Sequence, residues 1–283
     1  GIEFRDLAFA FRGANSPMFE SLTLKLEPGS ILVVTGSNGT GKTTFGRLMM
    51  GLLEPSRGQI LVDGLDLKQV APEWWRRQVI YQPQEPALFN ATIEENLRMN
   101  NPDIDGTMLN SIIDICGLRK FLDESQEGLD SPVADNGWRL SEGIRRRLSL
   151  ARALTTNGQL AIIDEPTESL DADGCEAVHT ILASLLKQDK TIILMSHDQR
   201  MVNGPHTVLD LSEKPVPTIR KVSPEKPNEA DTRQDSTNVT ASSGLETTAQ
   251  TAAMPTKGQT LFQDEGKSIK PNDPGEKTAV SDI

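Results

Sequence analysis

ILVVTGSNGTGKTTFGRLMMGLL, residues 31–53, decides the fold. ILVVT at 31–35 is a short continuous apolar run, GSNGTGKT at 36–43 matches G-x-x-x-x-G-K-[ST], and Thr43 to Leu53 reads as a helix. A buried strand, a glycine-rich turn and a helix in that order form an anion nest. Gly36, Gly39 and Gly41 admit backbone conformations closed to other residues, so successive N–H groups converge on phosphate oxygens at the positive end of the helix. The expected phosphate-binding set is Gly36, Ser37, Asn38, Gly39, Thr40, Gly41, Lys42, Thr43 and Thr44. Within it, Lys42 is placed to reach the β- and γ-phosphates of a nucleotide and the Thr43 hydroxyl to ligate Mg²⁺.

Outward from this unit, IEFRDLAFAF at 2–11 and SLTLKL at 21–26 alternate apolar and polar residues, predicting an antiparallel β layer. Apolar runs at 160–163 and 191–195 alternate with helical stretches at about 142–156 and 173–187, the pattern of parallel β-α-β windings. Residues 92–125 have helical periodicity without a convincing strand. The order predicts an α/β fold: a P-loop NTPase parallel-sheet core, an antiparallel β layer, and an α-helical insert over about 92–155. After Leu211 the composition turns to Pro, Ser, Thr, Gly, Glu and Lys, so 212–283 is expected to be a low-complexity, disordered tail behind a domain at 1–211.

LAIIDE at 160–165 is an apolar strand ending in two carboxylates. Doubly wound sheets bind ligands beyond the carboxyl ends of their strands, so this strand delivers its acids beside the phosphate loop. Asp164 is expected to hold Mg²⁺ through water and Glu165 to act as general base on the attacking water. His197, directly after the strand TIILM, is expected near the γ-phosphate as a hydrogen-bonding linchpin, whereas His179 and His206 have no such address.

The net charge of −11 and pI near 4.9 disfavour a nucleic-acid partner. Two cysteines, Cys116 and Cys175, are too few for a disulfide scaffold. No apolar run approaches the roughly 18–20 residues of a spanning helix, which predicts a soluble piece, and the abrupt start at Gly1 suggests a fragment of something longer.

LSEGIRRRLSLARAL at 140–154, the acids at 164–165 and ESLD at 168–171 together narrow the choice. Over roughly residues 2–211 the chain resembles an ATP-binding cassette. The resemblance implies that ATP and Mg²⁺ are the ligands and that Gln84 is the Q-loop glutamine, which contacts Mg²⁺ and the catalytic water. Phe11 would stack on adenine. Ser141 and Gly143 in the signature motif would bind the γ-phosphate of ATP held by a second cassette, and Asp171 would cross that dimer interface. EPALFNATIEENL at 85–97 and GLDSPVADNG at 128–137 resemble exporter segments. An exporter implies a transmembrane domain upstream and a location at the cytoplasmic face of a membrane. A catalytically silent half of a heterodimer and a non-transport cassette ATPase are the alternatives.

Two signature positions depart from the family's L-S-G-G-Q: Glu142 at the third place and Ile144 at the fifth. A free carboxylate roughly 6 Å from a phosphate would repel each unit of its charge by about 3 kcal/mol at a dielectric near 20. Arg145 and Arg146, three and four residues on, are spaced to pair with Glu142 and turn it away.

Overall fold

The computed structural model describes residues 1–197, 201–202 and 204–223. The predicted disordered tail from 224 onward lies outside the described residues.

Two sheets share one helix. The first is antiparallel: β1 (Ile2–Phe9) pairs with β2 (Phe19–Leu26) and with β4 (Arg57–Val62), which pairs with β5 (Leu65–Asp66). The second is built on β3 (Ile31–Thr35) and runs in the order β10-β9-β3-β8-β7-β6. Its strands β6 (Val79–Gln82), β7 (Leu160–Asp164), β8 (Thr191–Met195) and β9 (His206–Asp210) are parallel to β3, and only β10 (Thr218–Val222) is antiparallel.

Strands buried on both faces have no reason to alternate in polarity, and ILVVT, LAIID and TIILM do not. Their side chains still divide by parity. Leu32, Val34, Ile162, Ile193 and Met195 face a core shared with the antiparallel sheet, while Val33, Ala161, Ile163, Ile192 and Leu194 face the helices on the other side. Helix α1 (Lys42–Met49) fills the first core. Its fully buried Phe45 packs against Phe4 and Phe19, with ring centroids 5.3 and 6.3 Å away. Against the strands the helix approaches so closely that a Cβ on Gly46 would fall 2.4 Å from Met195 Cε.

Short helices follow in the chain: α2 (Pro72–Arg77), whose Trp75 joins the first core, then α3 (Ile93–Arg98), α4 (Gly106–Ile115) and α5 (Arg119–Asp123), whose buried apolar residues join the second. A Thr92–Glu95 capping box starts α3, satisfying two orphan backbone donors at once. Two longer helices, α6 (Glu142–Leu154) and α7 (Ala172–Lys187), cover the second face of the parallel sheet.

The structure corrects two boundaries. Helix α1 ends at Met49, not Leu53, because Gly51 takes a left-handed backbone and turns the chain. The folded domain does not stop at 211: β10 continues the sheet at 218–222. TIRKV lies on the sheet edge and is mostly exposed, so it carries no apolar run to separate it from the polar tail.

Candidate functional site

The phosphate loop joins the end of β3 to the start of α1. Its helix begins at Gly41, whose φ of 113° is open to glycine, and no side chain caps the helix and no acid occupies its first turn. The first-turn N–H groups are therefore left for an anion. Lys42 is buried; its Nζ donates to the Gly36 carbonyl at 2.7 Å and pairs with Glu165 Oε1 at 3.2 Å.

Strand β7 brings the acids to this loop and β8 brings His197. The Thr43 hydroxyl donates to Asp164 Oδ2 at 2.7 Å and lies 3.4 Å from Gln84 Oε1. Gln84 arrives two residues after β6, the strand next to β7. Asp164 is 1% exposed, and its second oxygen, Oδ1, is buried without a partner. Burial pushes the Asp164 carboxyl above the ordinary carboxylate range, and the Thr43 hydrogen bond opposes that. A buried orphan carboxylate oxygen beside a hydroxyl and an amide oxygen is a donor set that fits a hard cation. Among the described residues no cluster of three or more His, Cys, Asp or Glu could hold a metal by itself. A cation here would take its other ligands from phosphate and water, as Mg²⁺ commonly does.

Glu165 follows β7 with a left-handed backbone, φ 45°, uncommon for a non-glycine residue. Its N–H donates to the Met195 carbonyl of β8 at 2.9 Å, which fixes that turn. The carboxylate is buried, and Oε2 lies 3.0 Å from Nδ1 of His197, whose side chain is 72% exposed. Lys42, Glu165 and His197 thus form a chain of contacts from the phosphate loop to solvent.

The predicted residues converge unevenly. The loop 36–44, Gln84, Asp164, Glu165 and His197 meet in one place. Phe11 stands on the rim, half exposed, edge-on to Phe9 at 5.0 Å and lining the same cleft as Gly39. Ser141, Gly143 and Asp171 do not join them. Ser141 caps α6 by accepting the Ile144 N–H, and Asp171 caps α7 at Gly174 and pairs with Arg147.

Glu142 pairs with one of the two expected arginines. Arg146 Nε and Nη2 reach it at 3.1 and 2.8 Å, while Arg145 points to another face of the helix and lies over the Trp138 ring at 4.7 Å. The Arg146 guanidinium holds the Glu142 carboxyl below its usual range. Sequence reading missed the rest of this network: buried Arg146 also donates to the Gln84 carbonyl at 3.0 Å and to Glu168 at 3.2 Å, and Gln84 Nε2 donates to Glu168 at 3.3 Å. The i,i+4 spacing of Glu142 and Arg146 signalled the first contact; the others join residues far apart in sequence.

A parallel sheet whose central strand β3 runs through a glycine-rich loop into a helix, with acids at the end of β7, the next strand but one, defines a P-loop nucleotide-binding domain. The ABC transporter family model matches residues 19–168, rather more than half of the chain, and the chain belongs to that family. It is an ATP-binding cassette domain, a class with ATPase activity. The chain is 30% identical over 213 residues to Antigen peptide transporter 2 of Rattus norvegicus, covering 75% of this chain and 30% of that one. It is 32% identical over 198 residues to the Leukotoxin export ATP-binding protein LtxB of Aggregatibacter actinomycetemcomitans, covering 69% and 28%. Its fold resembles that in the structure of a bacterial Atm1-family ABC exporter with ATP bound, with a TM-score of 0.71 at 24% identity, covering 77% of this chain and 38% of that one. The chain spans less than a third of the length of the two sequence relatives. No helix among the described residues is long and apolar enough to cross a membrane.

Proposed function

We propose that the chain is the Mg²⁺-dependent ATP-hydrolysing cassette of an exporter, and that its closure on a second cassette drives export through a transmembrane domain. The observation that carries this reading is the meeting of Thr43, Gln84 and Asp164 with Lys42, Glu165 and His197 at the mouth of one helix. Mg²⁺ held by Thr43, Asp164 and Gln84 would neutralise charge on the terminal phosphates.

The backbone amides of 36–44 and Lys42 grip the triphosphate, and Phe11 meets the adenine. Glu165 takes the proton of the attacking water, and His197 orients the terminal phosphate. Lys42 leaves Glu165 for phosphate when nucleotide enters, freeing the carboxylate for water. The exposed positions of Ser141 and Asp171 support a role toward a second cassette, with Gly143 in the same first turn of α6. In this reading the domain works at the cytoplasmic face of a membrane.

Glu165→Gln tests the closure. The variant with Mg·ATP should sediment as a dimer that hydrolyses far more slowly than wild type; monomer alone at saturating nucleotide overturns ATP-driven pairing.

A further inference from the structure

The loop between β9 and β10 runs to the phosphate loop. Lys214 Nζ donates to the carbonyl oxygens of Thr40 and Met18, at 2.5 Å each, and the Pro215 carbonyl accepts the Glu20 N–H at 2.7 Å. Thr40 belongs to the phosphate loop, while Met18 and Glu20 lie at the entry to β2. With Phe11 and Gly39, these loop residues line an open cleft of about 420 Å³.

An ammonium carries three N–H donors. Two are taken by backbone carbonyls, which hold the group in place without cancelling its charge. The remaining donor and the full charge stay at the rim that runs from Gly39 to Phe11. Among the described residues the one acid lining that cleft is Glu20, which offers its backbone to the loop. We propose that Lys214 is a nucleotide-binding residue, a fixed cation on the base-side rim of the phosphate loop that attracts the phosphates of an adenine nucleotide. The proposal rests on the reading that residues 36–44 bind the phosphates, and it adds a contact supplied from beyond the predicted end of the domain.

Calorimetric titration of ATP and of ADP into the full chain, in low and in high salt, tests it. Lys214→Met keeps the stem and removes the charge. It should weaken both nucleotides about fivefold in low salt, the size expected for one partly solvated charge, and lose most of that difference in high salt. Lys214→Arg should bind like wild type. Unchanged affinity of Lys214→Met in low salt overturns the assignment, and so does a loss of equal size in both salts, which would mark the loop as a structural clasp only. Lys42→Ala, run in parallel, separates the two levels. If it too binds ATP like wild type, the phosphate-loop reading itself falls; if it loses ATP and Lys214→Met does not, only the assignment of Lys214 falls.

Discussion

Helices α1 and α6 both start where nucleotide chemistry is expected, yet they treat their N-termini in opposite ways. At α1 the cap is a left-handed glycine, the first turn holds no acid, and the nearest charge is a buried lysine. At α6 a serine side chain already caps the helix, an acid opens the first turn, and a buried arginine holds that acid aside. An uncapped helix start is an anion site complete within its own chain. A capped start carrying its own carboxylate can face a phosphate only while another residue keeps that carboxylate away. The first site depends on backbone conformation and the second on an ion-pair network.

The largest expected effect tests the α1 side. Glu165→Gln should lower phosphate release at saturating Mg·ATP by about 10²–10⁴, the usual cost of losing a positioned base. A smaller loss would move the base elsewhere. On the α6 side, Arg146→Gln frees Glu142 and Glu168 and unties the Gln84 carbonyl, so steady-state ATPase should drop about tenfold. Adding Glu142→Gln to that variant should restore part of the rate; no restoration would show that Arg146 acts through packing alone.

Asp164 offers a pH test of the same contrast. Its carboxyl is raised by burial, so the ionised form costs the folded state stability at every pH above the ordinary aspartate range. That cost disappears as pH falls below the unfolded value of about 3.9. Asp164→Asn should therefore melt higher than wild type at neutral pH in chelator, with the gap closing on acidification, while ATPase is lost. The smallest effect is expected at Glu142→Gly, under about threefold in ATPase rate, because the Arg146 pair already holds the acid. A large increase would show that the wild-type signature is impaired.

Much of the fold was legible because its central strands are uninterrupted apolar runs. β6 was not, since VIYQ is four residues long and ends in Gln82, a polar side chain buried to 1% exposure. That strand carries Gln84 to the site, so the residue was identifiable by resemblance while its support was invisible. β9 was not singled out because HTVLD is short, and β10 was hidden because TIRKV lies on the sheet edge, mostly exposed, with a composition that matches a tail. In the site, residues that follow strand ends were readable, because strand order dictates where they go. Glu168, Lys214 and the contacts of Arg146 beyond Glu142 were not, because those partners lie across the fold and nothing in local spacing announces them. Nor could composition reveal the left-handed backbone at Glu165, which tertiary contacts impose.

That backbone has a mechanical consequence. The amide of Glu165 hangs from the last carbonyl of β8, and His197 sits two residues further along the same strand's path. Base and histidine therefore ride on one rail, the central sheet, and no hinge lies between them. Any motion that switches the reaction on or off must come from pieces outside that sheet, among them α6, whose Arg146 holds the Gln84 carbonyl.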